Sequence, residues 1–435
     1  MAGKFRNKAK VFCAMSPQKS FQDLTGQTGG VASKRAKRVF VAMSGGVDSS
    51  VAAALLKERD YTVVGVHMRC YNVDGCAEQD AEDARRAAEV LGIPFYVFDF
   101  EKEYKEKVME YMIDGYRKGI TPNPDVECNR EIKFGLFLKK ALEMGADFVA
   151  TGHYVRLVKR RNFVPSTRFA RPATRSLVLA GSVAKRRHHA EPTPGVSENK
   201  VFSLFTARDS NKDQSYFLWT LTQDQLKHCL FPIGDYLKPE VRVLARKFGL
   251  PNAEKKDSQG ICFLGKVTLN DFLKDYIPEK LGAVLSTVGA KIGEHRGAYF
   301  YTIGQRHLGI KNYELRIKGK NEIKPCYVAE KDIKNNTLVV AEGDDNPALY
   351  RKEIELTNVN FINPQYSNIL QNVGMSDMEI YARIRYRQPL VSAKLIIHNA
   401  RYKIHFGQPI RFVAPGQSAV FYSKKGEMLG GGVIA

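Results

Sequence analysis

The stretch RVFVAMSGGVDSSVAAALLKE, Arg38–Glu58, decides how this chain is read. Val39–Met43 is a short, continuous apolar run, the pattern of a strand buried on both faces. Val51–Glu58 carries its apolar residues at helical spacing. Between them, Ser44-Gly45-Gly46-Val47-Asp48-Ser49-Ser50 is a turn with two glycines and three hydroxyls. Glycine lets a backbone come close to an anion. The unpaired N–H groups and positive dipole end of the helix that follows favour phosphate. The loop lacks the G-x-x-x-x-G-K-[ST] spacing of the nucleotide P-loop. It holds no Lys, so Mg²⁺ is expected to bring positive charge, with Asp48 as a candidate ligand.

Working outward, the alternation continues. Thr62–Met68, Pro94–Phe98 and Asp147–Ala150 read as strands; Glu78–Leu91, Lys102–Tyr116 and Glu131–Glu143 read as helices. Such an order predicts an α/β fold with a parallel sheet and ligands at the carboxyl ends of its strands. Helices are expected again at Asp213–Leu221, Pro239–Phe248 and Leu269–Tyr276. After Gly282, short β-type runs alternate with turns such as Lys334-Asn335-Asn336, which predicts an all-β region, barrel or sandwich.

Length and charge set the frame. The 435 residues suggest about three domains. No run of 18 apolar residues occurs, and no N-terminal apolar segment reads as a secretory signal. The net charge of +21 is concentrated: residues 1–38 carry +8 and residues 159–200 another +8, leaving +5 for the rest. Residues 1–37 read as a basic, disordered leader, either a mitochondrial presequence or a flexible tail. Residues 159–200, rich in Arg, Pro and Ser, read as a basic surface insertion. The seven cysteines are widely spaced, with no C-x-x-C pair, which argues against a disulfide framework or a zinc site.

Two of those cysteines sit in distinctive loops. In Thr121-Pro122-Asn123-Pro124-Asp125-Val126-Glu127-Cys128-Asn129-Arg130, two prolines predict a stiff, extended loop before the helix at 131–143. Cys128 then lies beside a helix start, which favours thiolate, with Asp125 a nearby base. The same residues also suit an Asx turn and a buried cysteine. In Asp257-Ser258-Gln259-Gly260-Ile261-Cys262-Phe263-Leu264-Gly265, Cys262 reads either as an accessible loop thiol or as a packing residue. In Tyr381–Arg387, Arg383, Arg385 and Arg387 fall on one strand face by period two, and read as a phosphate-following stripe or a solvated edge.

SGGVDSS after a VFVAM strand resembles the PP-loop of ATP pyrophosphatases. Taken with NPDVECN and SQGICF, in that order, it resembles the tRNA-specific 2-thiouridylases of MnmA type. The similarity continues through Ala150–Tyr154, Lys212–Phe217, Tyr301–Arg306, Pro415–Gln417 and Gly430–Gly432, and leaves out the leader and the insertion.

The resemblance implies a PP-loop domain of HUP/Rossmann-like type over 38–265, a small central domain over 266–345 and a C-terminal β-barrel over 346–435. It implies ATP binding by Ala42, Met43, Ser44, Gly45, Gly46, Val47, Asp48, Ser49, Met68 and Gly152. It implies that Asn123, Pro124 and Asp125 face the wobble uridine of a tRNA of Lys, Glu or Gln type. His153, Lys212, Asp213, Gln214, Arg385, Tyr386 and Gln417 would contact the RNA. Cys262 would carry a persulfide, Cys128 would act as nucleophile and Asp125 as acid/base. Sulfur would come from a relay protein or cysteine desulfurase, with an iron–sulfur cluster as the alternative to persulfide. The leader and insertion point to a mitochondrial enzyme, with a cytoplasmic one as the alternative. Two other classes compete: another PP-loop ligase, which needs an amine donor or glutaminase module, and a nucleotide- or tRNA-binding protein without catalysis.

Overall fold

The computed structural model describes residues 35–71, 76–161, 200–257, 267–306, 308, 324–366 and 375–435. Residues 1–34 of the leader, residues 162–199 of the insertion and Cys262 lie outside the described residues.

Alternation along β1 (Arg38–Ala42) sends Val39 and Val41 into one core and Phe40 and Ala42 into another, so the strand is buried on both faces. That is the environment of a central strand in a parallel sheet covered by helices on both sides. β2 (Thr62–Arg69) and β3 (Phe95–Asp99) extend the sheet on one side of β1. β4 (Phe148–Ala150) and the short β7 (Cys229–Leu230) extend it on the other, all pairings being parallel. The chain therefore reverses its direction of winding between β1 and β4, and ligands in such sheets bind at that point, beyond the carboxyl ends of the strands.

Helix α1 (Val47–Glu58) begins four residues earlier than its apolar spacing suggests. Asp48 in its first turn suits the helix dipole, and the Ser49 and Ser50 hydroxyls both donate back to the Gly46 carbonyl. The expected extended loop before residue 131 is also corrected. Pro124 starts a helix that continues to residue 143, with Asn123 as its cap, because proline fits a first helical position whose N–H has no partner. The helix expected over Asp213–Leu221 is only the single turn Ser215–Phe217. The Asp213 carboxylate accepts from the Ala207 and Ser215 N–H groups, and this local bonding competes with a helix.

The remaining sheets are β-rich as expected. β8 (Gly282–Ser286), β9 (Lys291–His295), β10 (Cys326–Asp332) and β11 (Thr337–Glu342) form a four-stranded sheet in the order β10-β11-β8-β9. β12 (Tyr350–Phe361), β13 (Met375–Arg383), β14 (Val391–His398), β15 (Arg401–Arg411), β16 (Ser418–Tyr422) and β17 (Glu427–Ile434) form an antiparallel sheet that closes through β12 pairing with β17, so the C-terminal region is a barrel. The hairpin of β5 (Arg156–Arg161) and β6 (Lys200–Phe205) adds to β17. Lys159, Arg160, Arg161 and Lys200, at the two ends of the expected insertion, are thus strand residues. No helix among the described residues is long and apolar enough to cross a membrane.

Candidate active site

The loop after β1 is built to keep its backbone open to an anion. Gly45 has φ +75°, and a Cβ there would stand 2.3 Å from the Asp80 carbonyl oxygen, so only glycine fits against α2 (Cys76–Val90). The Ser49 hydroxyl accepts from the Ser44 N–H at 3.2 Å and lies 3.3 Å from the Ser44 hydroxyl. The Asn252 amide donates to the Gly45 carbonyl at 2.9 Å and to the Ser50 hydroxyl at 3.0 Å, which fixes the Gly45–Gly46 peptide. Gly46 caps α1 without a side chain, so the helix start is left to its ligand. Ala42, Met43 and Val47 are buried beneath the loop, and Met68, at the end of β2, is half-buried.

The turn after β4 ties this loop to the cysteine-bearing helix. A Cβ on Gly152 would lie 2.6 Å from the Ser49 nitrogen and 2.8 Å from the Asp48 carbonyl carbon, so the turn rests directly on the start of α1. Next to it, His153 packs against Phe134 of helix 124–143, ring centroids 6.0 Å apart, and its Nδ1 meets the Thr151 hydroxyl at 2.7 Å. Burial, and then the charge of Lys133, hold its pKa well below the usual value, so the ring is neutral. One residue further, the Tyr154 hydroxyl donates to Asp48 at 2.8 Å. On the helix, Asp125 is half-buried, and loss of water raises its carboxyl above the usual range against the pull of Lys133. Cys128 is 4% exposed in the second turn, one turn beyond Asp125. The helix-start effect, which fades within the first turn, therefore acts on Asp125 more than on Cys128.

Sequence reasoning missed Lys238 and Arg242, and it named Lys212 only as an RNA contact. Lys238, 9% exposed at the start of helix Lys238–Lys247, reaches both Asp48 oxygens at 2.7 and 2.9 Å and Asp257 at 2.7 Å. The loop has no lysine of its own but borrows one 190 residues away. Lys212 at 2.5 Å and Arg242 at 3.1 Å complete the shell of Asp257. Burial raises that carboxyl, but its hydrogen bonds and these charges hold it down at about 2. Nothing in the sequence marked Lys238, Asp257 or Asn252 for this place. Among the described residues, no group of three or more His, Cys, Asp or Glu side chains is arranged to hold a metal ion.

The other expected RNA contacts bond within the protein. Asp213 is buried and paired with buried Arg383 at 2.5 Å, and Gln214 accepts from the Tyr154 N–H at 3.0 Å. Gln417 donates to the carbonyls of Thr121 and Pro122 at 2.9 and 3.2 Å, bracing the chain just before Asn123. Arg385 donates to the carbonyls of Ile303 and Phe412, while the Tyr386 ring packs at a tilt against Phe217, centroids 4.6 Å apart. The arginine stripe does not form. β13 ends at Arg383, whose guanidinium is buried, and Arg387 lies beyond it at φ +65°.

Comparison with known proteins agrees with this architecture. Family models described as tRNA methyl transferase HUP domain, tRNA methyl transferase PRC-barrel domain and aminomethyltransferase beta-barrel domain match residues 37–266, 270–342 and 351–434. The tRNA-specific 2-thiouridylase MnmA 1 of Geobacillus kaustophilus is 42% identical over 394 residues, covering 89% of this chain and 92% of its own. The MnmA of Lactobacillus gasseri is 39% identical over 405 residues, covering 91% and 95%. That of Lactococcus lactis subsp. lactis is 38% identical over 403 residues, covering 91% and 94%. A parallel-sheet domain with an anion-ready loop, a small central sheet, a closed barrel and these full-length similarities place the chain in the MnmA family of tRNA-specific 2-thiouridylases, which are tRNA sulfurtransferases.

Proposed function

We propose that this chain converts the wobble uridine of tRNA to 2-thiouridine, using ATP to activate the C2 oxygen. The observation that carries the reading is the turn 151–154. Through Gly152 and Tyr154 it touches the phosphate loop, and through His153 it touches the helix that bears Asp125 and Cys128. An ATP seated on the loop and a base held at that helix then share one wall.

The chemistry follows from leaving groups. The C2 oxygen of uracil leaves poorly; transfer of AMP to it, with release of pyrophosphate, makes it leave well. A persulfide on Cys262 attacks C2 and expels AMP. Cys128 then attacks the Cys262 sulfur, releasing the thiocarbonyl base and leaving a Cys128–Cys262 disulfide for a reductant to reopen. Asp125, with a carboxyl that keeps its proton to higher pH than usual, is the acid/base. Ser44, Gly45, Gly46, Val47, Asp48 and Ser49 take the phosphates, while Ala42, Met43, Met68 and Gly152 line the nucleoside side. Asp48 offers one carboxylate, which suits Mg²⁺ held mainly by substrate phosphates.

Asn123 and Pro124 face the base, with His153 as the neutral wall beside it. Lys212, Asp213, Gln214, Arg385, Tyr386 and Gln417 serve this pocket by holding its loops. The tRNAs are those of Lys, Glu and Gln type, and the sulfur comes from a relay protein or desulfurase. The basic insertion over 159–200 adds nonspecific RNA affinity; its deletion is expected to weaken tRNA binding and flatten the salt dependence, and an unchanged affinity and slope reject that role. The leader directs the enzyme to mitochondria, and a purely cytosolic signal from residues 1–40 fused to a fluorescent reporter rejects this. The activity itself is tested by incubating the protein with labelled ATP, Mg²⁺ and unmodified tRNA. AMP formed only when tRNA is present supports the proposal; ADP, or no turnover by folded protein, contradicts it.

A further inference from the structure

Asn129 follows Cys128 on the helix over residues 124–143 and is 2% exposed. Its Nδ2 donates to the Phe217 carbonyl at 3.1 Å. That carbonyl belongs to a turn that is itself fastened. The Ser215 N–H and hydroxyl donate to Asp213 at 3.2 and 3.0 Å, and the Tyr216 hydroxyl donates to the Ser418 carbonyl at 2.9 Å. A carbonyl only accepts, so turning the Asn129 amide over would set oxygen against oxygen. Its Oδ1 is therefore held away from Phe217, buried, and meets no donor among the described residues. A buried acceptor left without a donor is costly, and natural proteins keep few of them.

The surroundings of Asn129 suggest what donor it awaits. Asp125 lies four residues earlier and shares its side of the helix. Asp125 and Lys133, four residues before and after it, are half-buried, while Val126, Glu127 and Cys128 are buried. The charge of Lys133 acts on both Asp125 and His153, so this side of the helix and the turn after β4 border one space. A uracil base joined to ribose through N1 has one donor on its ring, N3–H, and N3 adjoins C2.

We propose that Asn129 is a specificity-determining residue whose Oδ1 accepts the N3–H of the target uridine. This rests on the function proposed above. C2 lies between N1 and N3, so a ring tethered by its ribose at N1 and by Asn129 at N3 has its reacting carbon fixed between two points. Cytosine in the same pose opposes the lone pair of its N3 to Oδ1. A site built to hydrogen-bond its substrate strongly rejects a base that lacks the donor, because the protein's own polar group is then left unpaired.

The test measures the affinity of the full chain, with Mg²⁺ and a non-hydrolysable ATP analogue, for an anticodon stem–loop carrying uridine or N3-methyluridine at the wobble position. Wild type is expected to prefer uridine about tenfold or more, the effect of one unmatched buried acceptor. Asn129→Leu, similar in size but without an acceptor, is expected to lose that preference, as is Asn129→Ala, with the folding of both checked by thermal unfolding. The signature is the coupling between the two changes. A residue that only braced the Phe217 turn would weaken both stem–loops equally and leave their ratio unchanged. Equal affinity of wild type for the two stem–loops, which needs no variant to observe, overturns the assignment, and so does an undiminished preference in folded Asn129→Leu. If the preference is present in wild type and lost in the variant, yet wild type makes no AMP with tRNA, the assignment stands and the proposed function fails.

Discussion

Substituting Gly152 by alanine puts a methyl group against the start of α1. Its carbon would lie 2.6, 2.8 and 2.9 Å from the Ser49 nitrogen, Asp48 carbonyl carbon and Ser49 Cα, all backbone atoms with no rotamer to escape into. Reaching the 3.4 Å of an ordinary contact requires the loop and the turn to part by roughly 0.8 Å. Overpacking of this kind costs about 1–3 kcal/mol of stability. A shift approaching 1 Å at a site that works by alignment costs roughly 10²-fold in rate. The assay is tRNA-dependent AMP release at saturating and limiting ATP, beside thermal unfolding. Gly407→Ala, whose Cβ would meet only the Ser392 oxygen at an ordinary 3.6 Å, is the control. A Gly152→Ala protein with wild-type kcat and KM refutes the claim that this turn and the phosphate loop form one wall.

Three further outcomes follow from the same geometry. Asp125→Asn abolishes product but stabilises the fold at neutral pH. Burial raises the folded carboxyl's pKa, so its contribution is intact below the unfolded value and is lost as pH rises through the folded one; unfolding curves of the two proteins should converge near pH 3 and separate above it. Arg383→Met leaves Asp213 buried without its cation and should cost about 3–5 kcal/mol in denaturant midpoints, while the salt slope of tRNA binding stays unchanged. A lowered slope would return Arg383 to the RNA surface. Tyr154→Phe removes one of the donors to Asp48 and should raise the KM for ATP while leaving the unfolding temperature within about 2 °C, measured by steady-state kinetics and calorimetry.

The parallel sheet was legible because β1 is apolar on both faces and is followed by a glycine turn, a pattern that few other arrangements satisfy. The cysteine loops were legible as motifs but not as geometry. Pro124 could end an extended loop or begin a helix, and only the capping bond that the Val126 N–H donates to the Asn123 side chain decides for the helix. The arginines of residues 383–387 had the period of a strand face, yet the strand stops at Arg383 and its charge is matched by Asp213, 170 residues distant. Lys238 and Asn252 were invisible for the same reason. Their partners in the phosphate loop lie about 200 residues away, and neither local propensity nor spacing records a pairing that only the folded chain creates.

The central claim is that the phosphate loop and the two thiols make one sulfur-transfer site. It is tested most directly by nucleoside mass spectrometry on unmodified wobble-uridine tRNA after reaction with the protein, ATP, Mg²⁺ and a persulfide source. Wild type is expected to yield 2-thiouridine, while Cys128→Ser and Cys262→Ser yield none but still release AMP. Thiouridine from either serine variant at the wild-type rate would contradict the account.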